Sequence, residues 1–354
     1  MPDDMAFWRQ RWMRAAGQVG FLLLPQFSML ELFCAVDPLR IASRLGGGGF
    51  GWTLFSVDGG PVLSSNGTEI SVDARFGDGP MPGVLFVVAS YDPLLCVTVE
   101  MEHALRRMAR HGVLLGAVDT GTFVLARAHL LSGRRVTLHW ESSAAFTASF
   151  PDVEVTPNLY EFDRDRLTCA GGSAVIDMIL FFIGLQGNAD LLRSVAEQVI
   201  HPPMRPGAMT QRLAPRTRYA LHDRRLVRAV ELMERTIEHP LPMATIASVA
   251  GVSQRQFERL CHQHLKRSGK SFYLALRLER ARQMLVDSDL PAADVALAAG
   301  FDNAAHFSRL FRRVFGCSPT AMRRAGAASA PEPIRTENNR GTKKGRMPGP
   351  DRTR

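Results

Sequence analysis

Near its carboxyl end the chain carries one pattern twice, in TIASVAGVSQRQFERLC (245–261) and DVALAAGFDNAAHFSRLF (294–311). Each copy is a short amphipathic helix, an Ala before a Gly, a tight turn, and a second amphipathic helix. Gly251 aligns with Gly300 and, roughly, Phe257 with Phe307. Small residues let two helices cross closely, and Gly permits a left-handed turn. The apolar spacing predicts helices over 223–239, 243–251, 253–265, 268–288, 291–300 and 303–316. Two helix-turn-helix units in about 70 residues, joined by one long helix, constrain the fold far more than either alone.

The faces of these helices suggest a partner. In the second copy Phe307, Leu310, Phe311 and Val314 fall at i, i+3, i+4 and i+7 and are expected in the core. Asn303, His306, Arg309, Arg312 and Arg313 are left on the opposite face. In the first copy Phe257, Leu260 and Cys261 point inward, leaving Gln254, Arg255, Glu258, Arg259 and His262 outward. Such faces combine base-edge donors and acceptors with phosphate-binding cations. A solvated surface would look similar, but basic outer faces recur on both helices.

Charge divides along the chain in the same sense. Residues 1–204 carry 15 basic and 21 acidic side chains, 205–221 four and none, 222–324 17 and ten, and 325–354 seven and three. An acidic first half joined to a basic second half points to two jobs, the second facing a polyanion. The stretch HPPMRPGAMTQRLAPRTR (201–218) has neither helical nor strand period, so 205–221 reads as a linker and 222–324 as the all-α unit. Residues 325–354 lack apolar periodicity and read as a disordered basic tail; residues 1–16 read as an extension.

The second half resembles the DNA-binding domain of the AraC/XylS family over about 223–324. The match rests on IASVAGVSQRQFERLC, YLALRLERARQML (273–285) and DVALAAGFDNAAHFSRLFRRVFGCSPTAMR (294–323). The resemblance implies two recognition helices entering successive major grooves of a double-stranded operator, about 34 Å apart. Its base-contacting face corresponds to Arg255, Glu258 and Arg259 and to Asn303, His306 and Arg309, with Arg312 and Arg313 on phosphates.

The first half alternates buried runs with helical stretches. VGFLLLP (19–25), WTLFSVDG (52–59), GVLFVVAS (83–90) and HGVLLGAVDTG (111–121) read as strands, and 27–45 and 95–111 as helices. Strand followed by helix, repeated, predicts an α/β doubly wound, mostly parallel sheet, with ligands beyond the strands' carboxyl ends. One junction passes from a strand through Asp119, Thr120 and Gly121 straight into a helix. Such a turn projects one side chain into the crevice in front of unpaired backbone N–H groups. Two roles are open to Asp119, capping the helix or touching a ligand, and its place on a functional turn favours the second.

Residues 17–204 resemble the PfpI-type, flavodoxin-like domain of the class I glutamine amidotransferase-like superfamily, in the form used by GlxA-type regulators. The match rests on FSMLELFCAVDPLRIASRL (27–45), GAVDTGTFVLARAHLLSGRRVTLHWE (116–141) and LTCAGGSAVIDMILFFI (167–183). Enzymatic members carry Cys at the elbow. None of the five cysteines here lies there, so the resemblance implies a sensing pocket with no catalytic residue; an enzyme tethered to DNA is the rival reading. An elbow Asp is similar to regulators of betaine, carnitine and arginine catabolism, whose ligands are cationic or zwitterionic. An aromatic face and carboxylates suit such groups, so Thr120, His139, Trp140, Glu141 and, through the resemblance, Glu31 join Asp119 as candidates; Trp140 could equally be core.

The five cysteines show no ligand spacing, so neither a disulfide framework nor a zinc site is indicated, and no cofactor is expected. GGGGFG (46–51) follows a helical pattern and is rejected as a nucleotide loop. Without a long apolar run or a signal-like start, a cytoplasmic protein with no membrane span is expected. The family resemblance further implies a homodimer, a small-molecule effector and, for an activator, RNA polymerase as a partner.

Overall fold

The computed structural model describes residues 2–15, 18–46 and 49–328. The first unit begins with α1 (Pro2–Ala15), β1 (Val19–Leu23), α2 (Met29–Leu45) and β2 (Trp52–Ser56). Short strands β3 (Val62–Leu63), β4 (Glu69–Ile70) and β5 (Ala74–Arg75) lead to β6 (Val84–Ala89), α3 (Val99–Arg110), β7 (Leu114–Asp119) and α4 (Gly121–Arg127). It continues with β8 (Arg135–Val136), α5 (Ser143–Ser149), β9 (Glu154–Val155), β10 (Tyr160–Asp163), β11 (Arg166–Cys169), α6 (Ala174–Gly184) and α7 (Ala189–Gln198).

Seven strands form one sheet in the order β10-β11-β7-β6-β1-β2-β5, parallel throughout except β10, which runs against β11. The order reverses between β1 and β6, the kind of point above which doubly wound sheets open a crevice. Strands β1, β6 and β7 are buried along their whole length, which is why their sequences are apolar runs, broken only by Asp119 at the end of β7. Phe21 stacks on Phe86 at 5.6 Å in the layer beneath α2, α6 and α7, whereas Leu22, Leu85 and Val87 face α3 and α4.

The expected extension is part of this unit. Its α1 buries Trp8 and Trp12, and Trp12 stacks on Phe182 of α6 at 4.3 Å, so the folded unit starts before residue 17. Burying two indoles removes enough apolar surface from water to fix a helix that would be marginal alone.

The second unit is all-α: α8 (Pro215–Arg218), α9 (Arg224–Arg235), α10 (Met243–Val249), α11 (Gln254–Leu260), α12 (Gly269–Asp287), α13 (Ala292–Ala298), α14 (Ala304–Phe315) and α15 (Pro319–Ala328). A π-helical turn, Cys261–Leu265, extends α11. Gly251 and Gly300 take the expected left-handed conformation, with φ of 75° and 77°. A Cβ at Gly300 would also come within 2.4 Å of the Ile237 carbonyl, so no other residue fits that turn undistorted. The 19 residues of α12 span about 28 Å and carry a separate core at each end. Arg277 locks the second turn to this helix, donating to the carbonyls of Ala299 and Gly300 and stacking on Phe301.

Three expectations fail in detail. Val314 is 54% exposed, because the chain turns out of α14 at Gly316 and Phe315 packs on Phe311 in its place. The 205–221 segment is bound along its length. Arg205 pairs with the buried Asp177 at 2.6 Å, Gln211 donates to Leu138 and Asn158 carbonyls, and Leu221 is wholly buried in the second unit's core. Helix α15 runs to Ala328, past the expected start of the tail; residues 329–354 lie outside the described residues.

The units touch directly. Ala144 of α5 shares a buried cluster with Leu278, Ala281 and Leu285 of α12, and Ser142 donates to Asp287 at 2.9 Å.

Candidate functional site

The strand-to-helix turn at the end of β7 is as tight as the sequence predicts. Asp119 sits at φ 56°, a left-handed conformation that a non-glycine residue holds only when its surroundings impose it. The close packing behind it depends on Gly121, where a Cβ would lie 2.2 Å from the Val87 carbonyl oxygen. Thr120, not Asp119, takes the N-cap position of α4, and its hydroxyl donates to the Ser90 carbonyl at 2.7 Å. The Asp119 carboxylate turns instead toward the neighbouring strand end, accepting from Ser90 Oγ at 2.6 Å.

Glu31, in the first turn of α2, reaches the same place. Its Oε1 accepts the Gly172 N–H at 2.9 Å, while its Oε2 is buried without a partner. Gly171 lies between the two acids: a Cβ there would meet Glu31 Oε1 and Asp119 Cβ. Two carboxyl groups pressed together out of water cannot both ionise cheaply. Burial pushes Asp119 up to about 8, opposed by the Ser90 hydrogen bond and helped by the charges of Asp287 and Glu141. Burial, then the charge of Asp119, raises Glu31 well above the usual carboxylate range. Among the described residues no three His, Cys, Asp or Glu side chains group so as to hold a metal ion.

His139, Trp140 and Glu141 form a second group at the boundary between the units. Thr122 Oγ1 lies within hydrogen-bond distance of the carbonyls of Asp119, at 3.1 Å, and Thr137, at 3.3 Å, and so links the elbow to the segment that leads into this group. Burial holds His139 below the usual imidazole value, against the pull of Glu141 at 3.8 Å. Trp140 is 38% exposed, so it is not core; the Arg212 guanidinium lies over its ring at 4.1 Å. Trp140 and Glu141 line a cleft of about 550 Å³ between the units, and Asp119 and Glu31 do not. The six candidates therefore fall into two clusters, Glu31–Asp119–Thr120 and His139–Trp140–Glu141.

In the second unit Gln254, Arg255, Arg259, His306, Arg309, Arg312 and Arg313 are exposed, and the five arginines make no ion pair among the described residues. Glu258 departs from the expectation. It is half-buried, its Oε2 accepts the Gly269 N–H at 3.0 Å, and it thereby joins α11 to the start of α12. Asn303 is exposed, but its Oδ1 caps α14 by accepting from His306 N, leaving only its amide N–H groups free to read a base.

Residues 17–182 match the DJ-1/PfpI family and residues 246–325 a helix-turn-helix domain. Over 311 residues the chain is 43% identical to the HTH-type transcriptional regulator CdhR of Pseudomonas aeruginosa, covering 88% of this chain and 93% of that one. The chain belongs to this family of regulators. In its GlxA-type members a DJ-1/PfpI domain precedes an AraC-type helix-turn-helix domain; GbdR of Pseudomonas aeruginosa is 36% identical over 88% of this chain and 86% of its own, and GlxA of Rhizobium meliloti 33% over 88% and 97%. As in these relatives, the part that meets DNA is the AraC-type unit. Among the described residues, no helix of this GlxA-type regulator is long and apolar enough to cross a membrane.

Three residues at the elbow escaped the sequence reading. Ser90 follows the last residue of β6 beside Asp119, where neighbouring parallel strands must bring their ends together. Gly171 and Gly172 stand in AGGS, and the pair of glycines is the sequence signal for the positive φ that both adopt.

Proposed function

We propose that the first unit is a non-catalytic receptor for a cationic or zwitterionic metabolite, an amino-acid derivative or quaternary amine, which governs operator binding by the second. The observation that carries this reading is the elbow itself. A buried Asp stands where a nucleophile would, beside a second acid whose outer oxygen has no partner. A carboxylate there is a poor general nucleophile but a strong counter-charge in a site shielded from water. Sequence selectivity would come from Gln254, Arg255, Arg259, His306 and Arg309, with one amide edge of Asn303; Arg312 and Arg313 would add salt-dependent affinity for phosphate. The regulator works as an activator that engages RNA polymerase, and as a homodimer; exposed Leu30 and Phe33 on α2 give it an apolar surface for self-association.

A thermal-shift screen of the full chain against amino acids, betaines, carnitine and polyamines tests the receptor reading. A binder raises the melting point by mass action, and Asp119→Ala removes the rise. Turnover of a small amide or aldehyde by the wild type, lost on Asp119→Ala, would replace the receptor with an enzyme.

A further inference from the structure

Trp140 and Glu141 take no part in the elbow, yet both line the cleft of about 550 Å³ between the units. A small-molecule site of such a size joins apolar walls to a few convergent polar groups, and this cleft has both. Trp140 on the side of the first unit faces Tyr219, Ile237 and Leu276 on the side of the second. Two arginines enter from different elements, Arg212 from the segment that joins the units and Arg280 from α12. Arg212 lies over the Trp140 ring at 4.1 Å, a contact that leaves its N–H groups free to donate. Among the described residues neither arginine forms an ion pair or donates a side-chain hydrogen bond, whereas the nearby Arg218 and Arg282 are held by Glu234 and Glu279, each at 2.6 Å. Glu141 and Glu234 attract Arg212, and Glu238 attracts Arg280, but none of the three comes within ion-pair distance of either. Both guanidinium groups are solvent-accessible.

We propose that this cleft is a second ligand site, for a small carboxylate with a flat apolar body: the aromatic and aliphatic walls cover the body, and Arg212 and Arg280 bind the carboxylate. The charges on the walls argue for a single negative charge. Arg212, Arg218 and Arg280 are balanced by Glu141, Glu234 and Glu279, so a dianion would meet three carboxylates with no surplus of cations to offset them. The site goes beyond the elbow and does not depend on it, since neither Asp119 nor Glu31 lines the cleft. A guest held here touches the first unit through Trp140 and the second through α12, the helix that carries a core at each end. Occupancy and docking of the units are then one linked equilibrium, and each strengthens the other by the same factor.

The test is calorimetric titration of the full chain with benzoate, its neutral isostere benzamide, and phenyl phosphate. The wild type should prefer benzoate to benzamide by about tenfold or more, and benzoate to phenyl phosphate. Arg212→Gln and Arg280→Gln should each weaken benzoate by about tenfold and leave benzamide within about twofold. Arg280→Lys, which keeps the charge, should retain part of the preference. Melting points of the variants show that each is folded. Asp119→Asn, which disables the elbow, should leave benzoate binding as it is. If the wild type binds neither benzoate nor benzamide, or both alike, the proposal falls. Tighter binding of phenyl phosphate overturns the carboxylate assignment, and equal weakening of benzoate and benzamide by the arginine variants makes the two side chains structural. If Asp119→Asn abolishes benzoate binding and the arginine variants do not affect it, the probe sits at the elbow: the cleft proposal falls, and the receptor reading is left to its own screen with cationic metabolites.

Discussion

The proposed receptor site and the proposed DNA-reading face of this regulator treat unpaired charge in opposite ways. At the elbow, Asp119 and Glu31 are acids pressed together out of water, and a proton is what keeps them tolerable. On α11 and α14, Arg255, Arg259, Arg309, Arg312 and Arg313 stand in solvent, where water and salt already screen them. Buried charge binds strongly and selectively because the empty site is uncomfortable; exposed charge binds a polyanion by releasing counterions and selects only through geometry. Substitutions at the first end should therefore act as switches and at the second as graded controls.

The sharpest way to break that contrast is Asp119→Asn. Removing one partner of a buried charge pair costs about 3–5 kcal/mol, so the variant should lose the response to a cationic effector by at least about 100-fold. Unchanged effector affinity by calorimetry would show that the elbow acid is a scaffold residue. A pH titration sharpens the same point. Asp119 keeps its proton to about 8 in the folded chain, whereas an unfolded Asp releases it near about 3.9. Between those values the folded state binds more protons, so its contribution to stability falls as pH rises and is gone above the folded value. The wild-type melting point should drop across this window more steeply than that of Asp119→Asn. Cation binding runs the other way: it displaces the proton, so affinity should rise with pH, by up to about tenfold per unit, and level off above about 8.

At the exposed end effects should be smaller and separable. Arg309→Ala should cost about 1–3 kcal/mol on the operator and relax preference at one base position. Arg312→Ala should weaken all sequences evenly and reduce the slope of log K against log salt by about one. Competition binding on a library of single-base operator variants at two salt concentrations distinguishes the two; uniform weakening by Arg309→Ala would make it a phosphate contact.

The same contrast governs what was legible in the sequence. The helices of the second unit could be placed to within a few residues, because each is amphipathic and most are bounded by Gly, Pro or Ser. The strands β1, β6 and β7 were legible for the same local reason, as was the elbow. What could not be read was set by distant packing. Nothing near Glu258 announces that its carboxylate holds the start of α12, and nothing near Arg212 that it covers Trp140. Asp287 meets a serine 145 positions earlier in the chain, a contact that no local pattern announces. Val314 illustrates the limit of periodicity: the pattern assigns it to the core, and the turn at Gly316 leaves it outside.

The smallest effect separates two jobs held by one side chain. In the first copy Ser253 and Gln256 cap α11 reciprocally, whereas in the second Asn303 caps α14 alone and still offers its amide N–H groups outward. Asn303→Ala should cost about 1 kcal/mol of stability through the lost cap. Asn303→Ser keeps a capping oxygen and removes the amide, so it should restore the melting point. If Asn303 also reads a base, the Ser variant remains impaired on the operator and loses preference at one position. If it is a cap alone, stability and operator affinity recover together, and selectivity in the second copy rests on His306 and Arg309.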